Sequence, residues 1–558
     1  MSTLPPPSAD APGPAAGAEE SSGSAQTSHR LEYRTLLSLA IAGLILRVFA
    51  YHNYRFDSDE PQHLHVAWGW TAGLVQYRDL FDNHAPLFHM LSAPLLRWLG
   101  ERPDILLFMR VPMVPLFLVS TTATYLLGKR LFNTRIALWA TLLLVLYPPF
   151  FFKTLEYRTD NLWMAVWSLI VIVILRQPLR WPRLFALGFL LGVALCVSMK
   201  TVLLFVTLGG AALATMLLTD ERRTARRALT PLLALLPGLA IMPTLIVIYF
   251  KSLNAWSGLV YCVVDFNKFL ANTGAHIWII RMAYPFLLAA LIHAAYNRRH
   301  RVVDDATRMR FFWGLALGLF IVTLISFWLL ISPRDFLPVM PIAAVFLASE
   351  IDKLPKRIPI FAGLAVLSLA FIIVRGRVFH DQTREHITMM HQVLALTHPG
   401  EPLMDLKGET IYRRRPFFYI LELITRREMY AGMIADTIPE DMVRLRCHVA
   451  QADGPFLPER GARFLRENFL DMGRLRASGQ WIRPDGSFDI AVPGDYEVLD
   501  RRGAVSGILD GTPLSGPRAL QAGPHHFTTT GPTERLACLW APAFARGFSP
   551  YHLKDRNF

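Results

Sequence analysis

Three carboxylates stand within a few positions of one another, just after the first long apolar run. They are Asp57, Asp59 and Glu60, and the segment that they open continues to His84 and beyond. An ionisable group beside a membrane span is costly unless it binds or reacts with something. The alternative is a solvated loop, which is the commoner state of acidic residues outside a first span. The cluster is therefore a candidate for acid–base chemistry, with the solvated loop as its alternative.

Two further segments carry charge at the ends of apolar runs. In the segment EYRTD at 156–160, Asp160 is a second acidic candidate, and its alternative role is to cap a helix that begins at Asn161. The segment SPRDFLPVMP at 332–341 places Arg334 among prolines. A planar guanidinium suits two oxygens of a phosphate, although an arginine at a bilayer edge often only snorkels.

The elements that must position these residues are membrane helices. Of the 558 residues, 53% are hydrophobic and only 18% are charged, which is too apolar for an ordinary soluble protein of this size. The net charge of +14 is compatible with nucleic-acid binding, but the basic residues lie in short clusters between apolar runs. That pattern is typical of cytoplasmic loops. We therefore expect the lipid bilayer as a partner and no nucleic acid.

The apolar runs predict about eleven spans, some of them shorter than the usual ~20 residues. They lie near residues 36–51, 108–127, 136–152, 162–175, 184–197, 202–218, 229–250, 277–295, 311–331, 336–348 and 358–374. The run at 87–99 is short and contains Pro94, which favours a helix that lies at the membrane interface.

The charges of the loops predict one orientation. One alternating set of loops carries several Lys or Arg each, namely 129–135, 176–183, 220–227, 297–310 and 350–357. The other set is longer or less basic, namely 56–104, 153–160, 198–200, 251–276 and 332–335. By the positive-inside rule the first set is cytoplasmic, so the acidic segment and the C-terminus share the external face. One miscounted helix would move the C-terminal region to the other side.

The chain divides into three parts. Residues 1–34 are rich in Pro, Ala, Ser and Gly, and we expect a disordered cytoplasmic tail with no cleavable signal peptide. Residues 35–375 form a transmembrane domain with a long external loop at 52–107. Residues 376–558 have the composition of a soluble α/β or β-rich domain. The fold class is a polytopic α-helical membrane protein with this C-terminal domain.

Patterns within the C-terminal domain predict both helices and strands. Residues 381–396 and 461–475 have helical spacing, while FDIAVPGDYEV at 488–498 alternates as strand, turn and strand. Gly and Pro turns farther along favour a small β-sandwich.

The cysteines and histidines do not predict a metal centre. The sequence has four cysteines, at Cys196, Cys262, Cys447 and Cys538. None shows spacing typical of zinc, and Cys447 and Cys538 form a candidate disulfide that sequence alone cannot decide. His63 and His65 have the spacing of a strand, with no carboxylate at a helical offset, so we expect no dedicated zinc site.

The segment 56–89 resembles the first external loop of the GT-C class of polyprenyl-phosphate-dependent membrane glycosyltransferases. It is most similar to the group of protein O-mannosyltransferases and lipid A aminoarabinose transferases. That family has an Asp-Glu pair and then a Lys-Pro-Pro-Leu-like stretch, and the matching positions are Asp59, Glu60 and HAPLF at 84–88. Here His84 replaces Lys and Ala85 replaces Pro. Segment 332–341 resembles the family's Arg-Tyr-x-x-Pro-x-x-Pro motif, and the resemblance covers roughly residues 35–350.

The resemblance implies three catalytic residues. Asp59 matches the family's base, which removes the acceptor's proton, and a partly desolvated site would raise its proton affinity. Glu60 stands beside it, and Asp160 matches a second acidic residue that orients the acceptor or a metal. We expect no resident cofactor, with a loosely held divalent cation at Asp59 or Asp160 as an open alternative.

The same resemblance implies cations that bind the donor's phosphate. Arg334 would face the phosphate, and His84 and Arg158 would help to hold it. Lys153 and Lys200 lie on the same predicted face. For each of these other cations the alternative is an anchor at the membrane interface.

The implied function is transfer of a hexosyl or pentosyl group from a polyprenyl-phosphate donor to an acceptor hydroxyl on the external face, with inversion. The chain would be a multi-pass protein of the bacterial inner membrane, with a cytoplasmic N-terminus and a periplasmic C-terminal domain. Its acceptor, a lipid, glycan or protein, and its oligomeric state stay open.

Two other functional classes predict different sequence features. A transporter or flippase for a lipid-linked or anionic substrate predicts internal repeats and charges in mid-span, whereas the charges here lie at span ends. A periplasmic binding module on a membrane anchor needs far fewer spans.

Overall fold

A computed structural model describes residues 17–219, 232–269, 275–302, 304–328, 331–451, 454, 456–529 and 535–552. Up to Gly376 the described chain is helical, and beyond it helices combine with two β-sheets. The predicted combination of a helical membrane part with a sheet-rich C-terminal part is confirmed.

Seventeen α-helices form the described helical part. They are α1 (Gly17–Asn53), α2 (Asp59–Thr71), α3 (Leu87–Leu99), α4 (Ile105–Arg110), α5 (Met113–Leu131), α6 (Thr134–Leu146), α7 (Pro148–Lys153), α8 (Thr159–Leu175), α9 (Trp181–Val197), α10 (Thr201–Thr219), α11 (Leu232–Ser252), α12 (Trp256–Val260), α13 (Phe266–Phe269), α14 (Ala275–Arg298), α15 (Asp305–Phe327), α16 (Met340–Asp352) and α17 (Arg357–Gly376). A π-helix at Tyr261–Asp265 and 3-10 helices at Arg299–Arg301 and Pro333–Phe336 connect some of them.

Several of these helices are long and apolar enough to cross a membrane. Among the described residues there are six such stretches, namely Arg30–Asn53, Ile105–Leu131, Thr201–Leu218, Leu233–Ser252, Asp305–Phe327 and Arg357–Gly376. Shorter apolar helices cover Thr134–Leu146, Thr159–Leu175 and Trp181–Val197. The chain is thus a multi-pass membrane protein. Each of the eleven predicted runs overlaps a helix, but the count of eleven spans is not confirmed, since helices such as α6 have only 13 residues.

The N-terminal helix starts earlier than the sequence pattern predicted. Residues 1–16 of the predicted tail lie outside the described residues, whereas 17–34 belong to α1. Adding residues to a formed helix costs much less than nucleating a new one, so a span can extend into polar sequence.

The loops alternate between two ends of the helical part. At one end the carboxylate of Asp57 lies 3.1 Å from Nζ of Lys153 and 3.8 Å from Nη1 of Arg334. These contacts bring together three loops of the predicted external set. At the other end Arg135 lies 3.8 Å from Asp352, which joins two loops of the predicted cytoplasmic set. The alternation is therefore as the charges predicted, while the direction across the membrane stays a prediction.

Helices α9 and α11 pack with their backbones in close contact. A Cβ at Gly188 would lie 2.0 Å from the carbonyl oxygen of Leu235, and one at Gly192 would lie 2.5 Å from that of Leu239. Two glycines four positions apart allow such an approach between membrane helices. This packing fixes the end of α9, which leads directly into residues 198–200.

The described residues of the C-terminal part form five more α-helices and eleven strands. The helices are α18 (Arg384–Leu396), α19 (Leu423–Tyr430), α20 (Ile438–Arg444), α21 (Glu459–Asn468) and α22 (Ala541–Ala545). The strands are β1 (Leu403–Met404), β2 (Val449–Gln451), β3 (Phe469–Asp471), β4 (Leu475–Trp481), β5 (Ser487–Ile490), β6 (Gly494–Leu499), β7 (Gly507–Leu509), β8 (Thr512–Leu514), β9 (Arg518–Leu520), β10 (Gly523–Thr528) and β11 (Ala537–Trp540).

The strands form two sheets around one core. The larger sheet has the order β1-β2-β4-β11-β6-β9, with β3 also paired to β4, and the smaller one has the order β5-β10-β7-β8. Side chains of both sheets, such as Val498 and Ile490, share a buried cluster. Both strands predicted at 488–498 are present, but they belong to different sheets.

Two expectations for this part need correction. The helix predicted over 461–475 ends at Asn468, because Gly473 at φ 101° turns the chain so that β3 pairs with β4. Cys447 and Cys538 are buried free thiols and not a disulfide. Cys447 precedes β2, Cys538 lies in β11, and β4 separates these two strands in the sheet.

The C-terminal part packs directly on the helical part. Nδ1 of His65 in α2 lies 2.8 Å from the carbonyl oxygen of Ile411, and Nδ2 of Asn53 donates to the carbonyl oxygen of Val378 at 2.9 Å. A cluster of buried side chains continues from the membrane helices to residues such as Phe417. The segment between β1 and α19 is thereby held against the start of α2.

Candidate active site

A cavity of about 160 Å³ lies at the end of the helical part where the loops of the predicted external set meet. Its wall includes Asp59 at the start of α2, Arg158 and Asp160 at the start of α8, Lys200 before α10, and Arg334 before α16. Four segments that are distant in sequence therefore deliver charged side chains to one cavity.

Arg158 is the central cation of the cavity. Its Nη1 lies 2.5 Å from Oδ1 of Asp57, its Nη2 lies 2.6 Å from Oδ2 of Asp59, and its Nε lies 3.4 Å from Oδ2 of Asp160. Burial would lower the pKa of this guanidinium, but the surrounding carboxylates raise it well above its usual value. Three carboxylates thus hold Arg158 charged and in one position.

Two more cations contact Asp59. Nη1 of Arg334 lies 3.1 Å from its Oδ2, and Nζ of Lys407 lies 2.5 Å from its Oδ1. Lys407 belongs to the segment after β1, so the C-terminal part supplies a side chain to the candidate site.

The electrostatic environment of Asp59 differs from the sequence-based expectation. Burial acts to raise its pKa, as expected for a desolvated carboxyl. The positive charges of Arg158, Lys407 and Arg334 outweigh burial and hold the pKa of Asp59 well below its usual range. In this state Asp59 is ionised and is a weak base.

Asp160 and Asp335 share one lysine. Nζ of Lys200 lies 3.2 Å from Oδ1 of Asp160 and also pairs with Asp335. Asp160 does not cap its helix, because α8 begins at Thr159 with Arg158 at the N-cap and no side-chain hydrogen bond there. Its carboxylate instead faces the cavity.

Glu60 lies apart from the cavity. Its carboxylate receives Nη2 of Arg110 at 2.6 Å and Nε at 2.8 Å, and it also accepts the backbone N–H of Tyr157 at 2.9 Å. The side chains of Glu60 and Arg110 are both fully buried. The structure places this predicted catalytic residue in an ion pair that anchors the start of α2 beside α4.

His84 lines the cavity and belongs to a histidine cluster. Its Nδ1 lies 2.8 Å from Oδ1 of Asp82, whose other oxygen is 3.4 Å from Nδ1 of His89. Nε2 of His89 is 3.1 Å from Nδ1 of His63. Within the described part of the chain, no three His, Cys, Asp or Glu side chains are arranged to hold a metal ion.

Glu156 lies next to the site. Its Oε1 accepts from Nζ of Lys153 at 2.7 Å, while its Oε2 is buried without a hydrogen-bond partner among the described residues. Burial and the nearby charge of Asp57 raise the pKa of Glu156 to about 7. The charge at this edge of the site therefore changes near neutral pH.

Part of the cavity carries no signal in the sequence. Asp335 directly follows Arg334 in the motif at 332–341, but the motif assigns no role to this aspartate. Glu422, from the C-terminal part, also lines the cavity, and burial raises its pKa. Neither Lys407 nor Glu422 lies near a recognisable motif, so only the packing of the two parts reveals them.

Known proteins share sequence features and fold with this chain. Residues 101–247 match the family model described as dolichyl-phosphate-mannose-protein mannosyltransferase. Crystal structures of ArnT from Cupriavidus metallidurans, one bound to undecaprenyl phosphate and one apo, match with a TM-score of 0.52 and 13% identity, over 79% of this chain and 97% of theirs. The chain resembles the GT-C glycosyltransferases in sequence and in fold.

The predicted GT-C resemblance is thereby confirmed, and at this identity the structural match shows the fold alone. An apo oligosaccharyltransferase from Archaeoglobus fulgidus matches with a TM-score of 0.41 and 11% identity, over 85% of this chain and 74% of its own. Among curated proteins, no sequence matches.

Proposed function

We propose that the chain is a glycosyltransferase that moves a sugar from a polyprenyl-phosphate donor to an acceptor hydroxyl on the external face of the membrane. One observation carries the proposal: a single cavity joins the carboxylates Asp59 and Asp160 with the cations Arg158, Lys200 and Arg334. Sugar transfer from a phosphate needs a carboxylate that takes a proton and cations that bind a departing phosphate.

A fold neighbour supports this donor class. ArnT, which shares the fold, has been crystallised with undecaprenyl phosphate. A lipid phosphate also suits a cavity at the ends of membrane helices, because its chain can stay in the hydrocarbon while its head group meets the cations.

In the proposed reaction the acceptor oxygen attacks the anomeric carbon while Asp59 takes the hydroxyl proton. The bond between the anomeric carbon and the phosphate oxygen breaks, and its electron pair leaves with the phosphate. Arg334, whose side chain is 27% exposed and so is accessible to the head group, binds that phosphate. A single displacement of this kind inverts the anomeric configuration. Asp160, which also contacts Arg158, orients the acceptor.

The low pKa of Asp59 fits an ordered reaction. In the free protein three cations stabilise its charge, so it is a poor proton acceptor. A bound donor phosphate competes for Arg334, and the loss of one cation moves the pKa of Asp59 back toward its usual value. The base then becomes stronger only when the donor is present.

The positions of the charges favour transfer over transport. Asp59 is the first residue of α2, Asp160 is the second of α8, and Lys200 directly precedes α10. Transporters bind their substrates near the middle of the membrane, at interrupted helices. Charges at helix ends instead suit a reaction at the membrane surface.

The test compares lipids that co-purify with the wild type and with Asp59→Asn. We expect a polyprenyl-phosphate sugar by mass spectrometry, accumulated on Asp59→Asn because turnover has stopped. In a reconstituted assay this variant should lose roughly 10²- to 10⁴-fold in rate, as for loss of a general base. Asp79→Asn, in the same segment but paired with Arg78 outside the cavity, is the matched control and should behave as the wild type. Retention of an unrelated ligand by both proteins would refute the proposal.

A further inference from the structure

Lys407 is the one side chain of the C-terminal part that the described structure places in direct contact with Asp59. Its Nζ lies 2.5 Å from Oδ1 of Asp59 and 3.0 Å from Oγ of Ser58. Its side chain is 11% exposed, so it is nearly enclosed between the two parts of the protein. A charged side chain enclosed in this way is costly unless it has a partner of opposite charge.

The backbone at Lys407 is fixed by a network of its own. Asp405 accepts the backbone N–H groups of Gly408 at 2.8 Å and Thr410 at 2.9 Å. Its Oδ1 also receives Nε of Arg415 at 2.8 Å. These hydrogen bonds fix the turn, which presents the side chain of Lys407 to Asp59.

The cations around Asp59 differ in how firmly they are held. Arg158 contacts three carboxylates, so a movement away from one of them would also disturb its ion pairs with the other two. Lys407 contacts one carboxylate and one hydroxyl. A lysine also carries three donors on a flexible stem, which allows it to exchange one oxygen ligand for another. Lys407 is thus suited to change partners.

We infer that Lys407 binds the donor's phosphate: when the lipid phosphate enters the cavity, Nζ of Lys407 passes from Asp59 to a phosphate oxygen. The exchange replaces one anionic oxygen by another, so the ammonium group keeps a partner, and it also removes a cation from Asp59. The C-terminal part then takes part in donor binding. This inference rests on the proposed function, because it concerns the same phosphate.

The test uses the full chain in detergent and two probes that share one lipid chain, undecaprenyl phosphate and the uncharged undecaprenol. We expect the wild type to prefer the phosphate. Lys407→Met keeps the length of the side chain and removes its charge. It should weaken binding of undecaprenyl phosphate by roughly 10- to 100-fold, because a hydrogen bond to a charged group typically contributes that much to affinity. Binding of undecaprenol should be unchanged. Lys407→Arg should retain most of the preference.

Controls separate this effect from a general loss of structure. Arg474→Met removes a cation that pairs with Glu385 at the surface of the C-terminal part. This variant protein should prefer the phosphate as strongly as the wild type does. Size-exclusion chromatography and thermal unfolding establish that each variant is folded. If Lys407→Met does not fold, Lys407→Gln replaces it, because the amide still donates to Asp59 without a charge.

The outcomes distinguish the inference from the proposed function. If Lys407→Met keeps the wild-type preference while Arg334→Met loses it, Lys407 does not bind the phosphate, and the proposed function stands. If the wild type itself binds both probes equally, both the donor class and the inference are overturned.

Discussion

Glu60 and Arg110 form a bidentate ion pair in which neither side chain is exposed. Asp59, the preceding residue, instead lies at the wall of the cavity and contacts three cations. Two adjacent carboxylates therefore have different roles. One anchors the start of α2, and the other is available to a substrate.

Removal of the Glu60 charge should destabilise the protein. Glu60→Gln leaves Arg110 buried without its partner, and we expect a loss of about 3–5 kcal/mol in the free energy of unfolding. Glu385→Gln, which breaks the exposed pair with Arg474, is the matched control and should cost about 0–1 kcal/mol. Denaturant unfolding of the detergent-solubilised protein measures both.

The same variant tests the catalytic role that the sequence predicted for Glu60. A Glu60→Gln protein with wild-type stability and no transferase activity would mean that the carboxylate acts on the substrate. A less stable protein whose folded fraction still transfers the sugar supports the anchoring role.

The contribution of Glu156 to stability should fall as pH rises toward neutrality. Its pKa in the folded state is raised to about 7, above its value in the unfolded chain. This carboxyl therefore binds more protons in the folded state between these two pKa values, and its contribution to stability decreases as pH increases through that window. Glu156→Gln should remove this contribution from the pH dependence of unfolding. Thermal unfolding of both proteins from pH 4.5 to 7.5 measures this difference. If stability changes with pH equally in the wild type and in Glu156→Gln, the raised pKa of Glu156 is wrong.

Sequence patterns predicted which charged side chains lie together where the order of the spans determines their position. Asp59, Arg158, Asp160, Arg334 and His84 all line one cavity, because loops of equal charge character lie at the same end of the helices. The order of the spans is therefore enough to predict that these side chains lie close together.

Other features depend on three-dimensional packing. Adjacent residues of a helix point about 100° apart, so Asp59 and Glu60 face different surroundings although the sequence pairs them. Lys407 is 348 residues from Asp59, and only the packing of the C-terminal part brings the two together. No local spacing could predict that contact.

Cys447 and Cys538 should stay reduced and unreactive in the folded protein. Burial raises the pKa of Cys447 to about 12 and also raises that of Cys538. The thiolate is the reactive form, so alkylation should be slow until the protein is denatured. Reductant should not change the unfolding temperature. A non-reduced peptide in which these two residues are joined would contradict this expectation.

Gly408 should be indispensable for the position of Lys407. It has φ 98°, and a Cβ there would lie 2.6 Å from Cβ of His65 in α2. Gly408→Ala therefore combines backbone strain with a steric clash, and we expect a cost of about 2–5 kcal/mol. The clash would also push the segment away from α2, so binding of undecaprenyl phosphate should weaken as it does in Lys407→Met.

Gly400 provides the matched control for that substitution. It has φ 89°, but nothing lies within 4 Å of its Cβ position, so Gly400→Ala introduces strain without a clash. We expect a cost of about 1–2 kcal/mol and unchanged binding of the phosphate probe. If both variants lose stability equally and bind the probe equally well, contact between the turn at Gly408 and His65 does not position Lys407. If only Gly408→Ala loses phosphate binding, the contact between this turn and His65 positions Lys407 at the site.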